Sequence, residues 1–260
     1  GLVHATEIDG FTEPYRDVDV AASEMGRVVH MGVREGDRVE AGQVLARLDD
    51  DVLLATLNIA KAAMDSSGRL DGAIAELQMY QESLQKLRAL LERDHATPRE
   101  VDRAESQMEM AEARVKATRE ELRVKLLEFE RTQTQLQQRR VLSPMDGVVT
   151  HVYKDEGEFV SPNDPVVVKI VQLDPLLVVF SVPLPQARNL STQETVEVRI
   201  ENAETPVDGV VEYICPTADA QSGTTHVRVR IPNPDEKISS GVTCHLLHAK
   251  EDLATTKPRP

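Results

Sequence analysis

The stretch VAASEMGRVVHMGVREGDRV, residues 20–39, decides the fold, because a related stretch, VLSPMDGVVTHVYKDEGEFV, returns at residues 141–160. Both copies contain a glycine after a short opening, Gly26 and Gly147, and an acidic–glycine–acidic run shortly before a valine. Alternating apolar residues around glycine turns are typical of short β-strands. Neither copy is long enough to bury a core alone, so we predict that the two copies pair face to face in one β domain.

The segment between the copies, residues 50–140, predicts two long helices. Its charges are mixed in sign and its single proline is Pro98, as is typical of exposed helices. Apolar residues recur at heptad spacing, which specifies a coiled coil because the apolar seam must keep facing a partner helix. The series are Leu70, Leu77, Leu84 and Leu91 with companions Ala73, Tyr80 and Leu87, then Val101, Met108, Val115, Leu122, Phe129 and Leu136 with companions Ala104, Ala111 and Thr118, Leu126 falling one residue late.

The two helical halves separate at Asp94–Pro98. Thr97 is placed to cap the second helix, with Pro98 in its first turn and Glu100 at the capping-box spacing. We therefore predict an antiparallel hairpin of two helices, each about 40 residues long. Because such a rod has too little apolar surface to be globular, we expect it to project from the β domain.

Composition excludes one class of partner. The net charge is −14, the wrong sign for binding nucleic-acid phosphates. Aromatic residues make up only 3% and there is no Trp, which argues against stacking platforms for single strands or carbohydrates. We predict no nucleic-acid partner.

Side chains that could carry chemistry are few. Cys244, His245 and His248 are close in sequence, but neighbours on a strand point to opposite faces and no further ligand motif follows. The chain has no phosphate-binding glycine loop, nucleophile elbow or zinc signature. We predict no catalytic residue, cofactor or metal. Cys215 and Cys244 allow either a disulfide or two buried free thiols.

The run GDRVEAGQVL, residues 36–45, and its second copy from Gly157 resemble the two halves of a biotinyl or lipoyl carrier domain. Carrier domains present a modified lysine between the halves. Here residues 47–51 stand in that place, and the next lysine is Lys61, inside the predicted helix. A split lipoyl-like domain with an inserted helical hairpin resembles the periplasmic adaptor, or membrane fusion protein, family of HlyD-like and efflux-pump adaptors.

The chain after Gln172 resembles the β-barrel domain of the same family. The resemblance implies an α+β, elongated multidomain fold, in which a split lipoyl-like β domain is interrupted by a long antiparallel α-helical coiled-coil hairpin and followed by a β-barrel domain. A membrane-proximal domain normally follows the barrel and is either missing from this chain or cut away. The expected parts are 1–15, an N-terminal strand joining the barrel; 16–49 and 141–171, the lipoyl-like halves; 50–140, the hairpin; 172–250, the barrel; and 251–260, a flexible tail.

The resemblance implies a non-catalytic periplasmic adaptor of a tripartite efflux or export system, anchored to the inner membrane in the full-length protein. The implied partners are an inner-membrane transporter of the RND or ABC type, a TolC-type outer-membrane channel, and further copies of the chain in a ring, for which the family implies a hexamer. Two alternatives stay open: a stand-alone coiled-coil scaffold of the envelope, and a carrier-domain component of an enzyme complex.

Three residues at the predicted hairpin tip are the candidate binding residues: Lys86, Leu90 and Thr97. They stand where many adaptors of the family carry an Arg-x3-Leu-x6-Ser motif that contacts the TolC-type duct. The chain departs at two positions, since Lys keeps the charge but not the planar fork of Arg, and Thr keeps only the hydroxyl. The alternative interpretation assigns Leu90 to the seam, Lys86 to a solvated flank and Thr97 to helix capping.

Overall fold

The computed structural model describes residues 8–201 and 205–247, which form two compact units. The segment Leu48–Arg140 is one unit, and the described residues on either side of it form the other. The predicted tail at 251–260 and His248 lie outside the described residues. No helix in the described ranges is long and apolar enough to cross a membrane.

The β unit is built from two sheets. One sheet has eight strands in the order β1-β12-β9-β10-β11-β8-β6-β3, and the other has four in the order β5-β4-β2-β7. A short helix, α4 (Leu184–Ala187), follows β8. The strands are β1 (Ile8–Ala21), β2 (Gly26–Met31), β3 (Arg38–Val39), β4 (Val44–Leu48), β5 (Arg140–Leu142), β6 (Gly147–Val152), β7 (Phe159–Val160), β8 (Val166–Pro183), β9 (Thr195–Ile200), β10 (Val207–Ile214), β11 (Thr224–Ile231) and β12 (Thr243–Leu247).

Strands of the larger sheet close into a barrel. β1 pairs with β12 through Ile8–Phe11 and with β8 over Gly10–Ala21, so the order β1-β12-β9-β10-β11-β8 returns to β1. Alternate residues on each strand point inward, as the pleat requires. The barrel core includes Leu176, Val178, Phe180, Val182, Val196, Val198, Val211, Val227, Val229 and Ile231.

The two copies of the β repeat pair with each other, and this prediction is confirmed. β2 of the first copy pairs with β7 of the second, placing Gly26 opposite Val160, and β3 of the first pairs with β6 of the second, placing Val39 opposite Gly147. A Cβ on Gly147 would lie 2.5 Å from the Val171 carbonyl oxygen, so this close approach of β6 to β8 requires glycine. Each copy therefore completes the other, as expected of halves too short to fold alone.

The helical unit is a hairpin of α1 (Asp51–Met64), α2 (Gly68–Leu91) and α3 (Pro98–Gln138). Three salt bridges join α2 to α3, and their order shows that the two helices run antiparallel. The predicted apolar seam is buried or half-buried along both helices, with Leu84, Val101 and Ala104 as its core near the tip. The salt bridges are Arg69–Glu121 (3.0 Å), Glu76–Arg114 (3.0 Å) and Arg88–Glu105 (2.9 Å).

The first arm of the hairpin is not one continuous helix, and that prediction is wrong. The helix breaks at Asp65–Ser67 and resumes at Gly68. Serine and glycine, which stand together at residues 66–68, are weak helix formers. The Ser67 hydroxyl donates to the Asp71 carboxylate at 3.0 Å, at the start of the new helix. Leu126, which falls out of the heptad series, is 40% exposed.

The cysteines are free thiols rather than a disulfide. Cys244 lies in the barrel core, where burial raises the pKa of its thiol to about 11, whereas Cys215 is only partly buried. The His245 ring lies 2.9 Å, through Nδ1, from the Asp9 carboxylate. Over residues 8–201 and 205–247, no cluster of three or more His, Cys, Asp or Glu side chains is arranged to hold a metal ion.

Candidate partner-binding surface

The hairpin tip is a tight turn between Leu91, where α2 ends, and Pro98, where α3 begins. The Leu90 carbonyl accepts the N–H groups of Arg93 at 3.1 Å and His95 at 2.9 Å. Asp94 has a φ of 60°, the left-handed conformation that commonly follows a helix end. The N–H groups of the turn therefore bond a carbonyl group that the end of α2 would leave without a partner. These hydrogen bonds hold the tip in a defined shape.

Leu90 and Lys86 share one outer face of α2. Leu90 is 40% exposed, while Leu87 and Leu91 pack against the seam core of Leu84, Val101 and Ala104. The alternative that Leu90 belongs to the seam is therefore wrong. Lys86 is exposed one helical turn before Leu90, and among the described residues no carboxylate forms a salt bridge with it. The face thus presents an apolar side chain beside an unpaired cation.

Thr97 caps α3 through a capping box. Its N–H and its hydroxyl lie 2.7 Å and 2.8 Å from Oε2 of Glu100, and both donate to that carboxylate. Both hydrogen bonds lower the pKa of Glu100, and the one from the Thr97 backbone has the larger effect. The capping interpretation of Thr97 is confirmed. The hydroxyl oxygen carries two lone pairs, and the capping box uses one of them for the Glu100 N–H.

A shallow groove of about 430 Å³ lies beside the tip. The groove is not predictable from the sequence, because its polar residues stand outside the heptad positions and carry no periodic signal. Within the groove, Arg88 is held by Glu105 from α3. The lining residues are Gln81, Leu84, Gln85, Arg88, Ala89, Glu92 and Met108.

A second apolar stripe runs along the outer face of α3. Met110, Val124 and Leu127 are 66%, 54% and 55% exposed, and Ala117 continues the heptad spacing between the first two. This stripe was not predicted, although its spacing is visible in the sequence, because the seam gives the stronger periodic signal. Two apolar stripes on one helix are what a helix needs when it packs against a neighbour on each side.

Two family models match consecutive parts of the chain. The model described as RND MFP, barrel-sandwich hybrid domain matches residues 16–172, and the one described as CusB-like, beta-barrel domain matches residues 176–251. Together they cover the two copies of the β repeat, the helical segment and the barrel.

Curated relatives match most of the chain at low identity. Multidrug resistance protein MdtE of Escherichia coli K12 is 25% identical over 251 residues, 91% of this chain and 62% of its own. Multidrug efflux pump subunit AcrA of the same strain is 26% identical over 251 residues, again 91% of this chain and 60% of its own. The chain thus spans less than two thirds of the length of these relatives.

A solved structure has the same fold. MacA from Actinobacillus actinomycetemcomitans superposes with a TM-score of 0.78 at 21% identity, covering 93% of this chain and 77% of MacA. At this identity the likeness concerns the fold alone.

Proposed function

Because the chain belongs to the RND membrane fusion protein family, whose barrel-sandwich hybrid model matches more than half of it, we propose that it serves as a non-catalytic adaptor in a tripartite efflux pump. In this proposal it works in the periplasm and links an inner-membrane transporter to an outer-membrane channel. The names of its relatives, a multidrug resistance protein and a multidrug efflux pump subunit, support the assignment.

The docking contact with the channel lies at the hairpin tip and uses Lys86, Leu90 and Thr97. The main observation that supports docking at the tip is that Leu90 is exposed, although the other leucines at this end of α2 are packed. An exposed apolar side chain next to a cation suits a partner surface that offers an apolar pocket and a carboxylate. Thr97 contributes by fixing the turn and by offering its hydroxyl oxygen.

Self-association uses the outer stripe of α3. Exposed Met110, Val124 and Leu127 offer a second helix seam, and heptad spacing lets a neighbouring hairpin continue it. When this stripe meets a different face of the neighbouring hairpin, the copies close into a ring or continue into a filament, and a ring suits a conduit.

We expect Met110→Glu combined with Val124→Glu to weaken self-association about tenfold, because two charges would be placed in the apolar seam. Sedimentation velocity over a concentration series measures the effect. Gln133→Glu combined with Gln137→Glu adds the same charge to exposed positions of α3 and should leave association unchanged. Equal effects of the two pairs would contradict the stripe as the contact.

A crosslink in the cell envelope tests the proposed function. Ala89→Cys in a full-length protein carrying Cys215→Ser places a photo-crosslinker beside Leu90, and buried Cys244 does not need replacing. We expect an adduct with an outer-membrane channel protein, identified by mass spectrometry. The control Ala62→Cys, exposed on α1, should give no such adduct. Adducts with further copies of the chain alone would support the envelope scaffold instead.

A further inference from the structure

Two histidine–glutamate pairs occupy equivalent positions in the two copies of the β repeat. His30 and His151 stand at the same place in their copies, and so do Glu35 and Glu156. Nδ1 of His30 lies 3.2 Å from Oε1 of Glu156, and Nδ1 of His151 lies 2.9 Å from Oε1 of Glu35. Each pair joins one copy to the other, so the two contacts are reciprocal.

Each glutamate also binds the backbone of the opposite copy. Oε1 of Glu156 accepts the N–H of Met31 at 2.9 Å, and Oε1 of Glu35 accepts the N–H of Val152 at 3.2 Å. These amides belong to the residues that follow the two histidines. One carboxylate oxygen therefore faces both an imidazole and an amide, and this arrangement occurs twice.

The loops that carry the glutamates are themselves fixed in equivalent ways. The N–H of Arg34 donates to the Asp37 carboxylate at 2.8 Å, and the N–H of Asp155 donates to the Glu158 carboxylate at 2.9 Å. The Gly36 and Gly157 amides donate across to β6 and β2, each at 2.8 Å. The glutamates thus reach the opposite copy from anchored loops, not from free ends.

The charges around the pairs are mainly acidic. Asp37, Asp155 and Glu158 lie in the same loops. The cations near the pairs include Arg34 and Lys169, and Lys169 stands opposite His151 on β8 and forms a salt bridge with Asp17 at 3.0 Å. The His151 and Tyr153 rings meet edge to face, with centroids 4.6 Å apart. Lys154 forms a salt bridge with Asp164. An open cleft of about 770 Å³ runs between the loops, and every histidine and glutamate side chain of the two pairs is 55% exposed. Water and protons therefore reach both pairs.

We propose that His30–Glu156 and His151–Glu35 form a double clasp that fastens the two copies of the β repeat more tightly when both imidazoles take up protons. A neutral imidazole offers the carboxylate only a hydrogen bond, whereas an imidazolium adds an opposite charge. Imidazoles in general gain their charge between about pH 8 and pH 5, so the double clasp is tested by comparing pH values across this range. The inference is independent of the docking function proposed for the tip.

The double clasp also has a lower pH limit. The hydrogen bond from the Met31 amide is the main cause that lowers the pKa of Glu156. The charge and the hydrogen bond of His30 lower it further. A carboxylate whose pKa is lowered by folding stabilises the folded state above its unfolded pKa, and this contribution is lost as the pH falls through the folded value. We therefore expect the Glu156 side of the double clasp to weaken as the pH falls through the lowered pKa of Glu156.

Amide hydrogen exchange of the whole chain tests the double clasp, read at Met31 and Val152 by NMR and corrected for intrinsic exchange. We expect protection of both amides to rise about 1.5- to 5-fold between pH 8 and pH 5.5, the range for exposed ion pairs. The Val229 amide in the barrel core normalises for global changes with pH. Protection that does not rise in the unmodified chain would overturn the proposal.

Charge-removing variants distinguish protonation from general tightening. Glu35→Gln with Glu156→Gln keeps an acceptor for each amide but removes the charges, so the rise in protection should vanish while the chain stays folded. Glu40→Gln, at an exposed carboxylate of the same unit, should leave the rise intact. A rise that persists in the double variant would also overturn the proposal.

Discussion

The Leu90→Asp protein is expected to fold and to fail at docking. Leu90 is 40% exposed and lies outside the seam core, so its replacement removes little packing. At the centre of an interface, an anchor residue commonly contributes enough that its loss weakens binding by about 30-fold or more. Asp adds a charge that a pocket for leucine would have to desolvate, which increases the loss.

Drug susceptibility measures the effect of Leu90→Asp in a strain that lacks the native gene and carries the full-length variant. We expect susceptibility close to that of the empty strain, at normal protein level and with normal helical circular dichroism. Val52→Asp makes the same change on α1, where the side chain is 79% exposed, and should preserve resistance. Full resistance with Leu90→Asp would contradict the prediction that the hairpin tip is part of the docking surface.

The largest effect on stability is expected from Phe180→Ala, at about 3–5 kcal/mol lower free energy of unfolding of the barrel. Phe180 is fully buried at the centre of the barrel core. Its ring packs on Gly10 of β1, where a Cβ would come within 2.5 Å of the ring. Because Gly10 is fixed by strand pairing to β8 and β12, the barrel cannot collapse easily onto the space left by the ring.

Hydrogen exchange of barrel amides at increasing denaturant measures the loss for Phe180→Ala, since it reports the barrel separately from the helical unit. Phe159→Ala is the matched control: its ring is 60% exposed, and its replacement should change stability by no more than about 0.5 kcal/mol. A loss below about 1 kcal/mol for Phe180→Ala would mean that the core repacks around the missing ring.

The sequence predicted those parts of the fold that are periodic. The heptad residues from Val101 to Leu136 are buried or half-buried as expected, since a seam that faces one partner must repeat. The break at Asp65–Ser67 was not predicted, because it lies before the heptad series begins at Leu70, where only the weak helix propensity of serine and glycine indicates it. The repeat predicted that the two copies pair, but it does not specify which strands join them.

The candidate site was predictable as a position but not as a surface. The heptad spacing already placed Leu87 and Leu91 in the seam and left Leu90 outside it, but only the packing shows that the Leu90 side chain is exposed. The reciprocal contact of His30 with Glu156 depends on residues far apart in the chain, and exposed polar residues carry no periodic signal. Such contacts are a consequence of the fold and do not help to predict it from the sequence.

The long strands β1 and β8 have a consequence for how this architecture evolves. β8 pairs with β6 of the repeat through Val168–Val171 and with β11 of the barrel through Leu176–Pro183, while β1 accompanies it through both regions. Exchange of the barrel alone between related genes would have to cut two paired strands at once and match both registers. The helical segment is one continuous insertion in the chain, from Leu48 to Arg140. Recombination should therefore trade helical hairpins freely among relatives, while the β repeat and the barrel descend together as one inherited block.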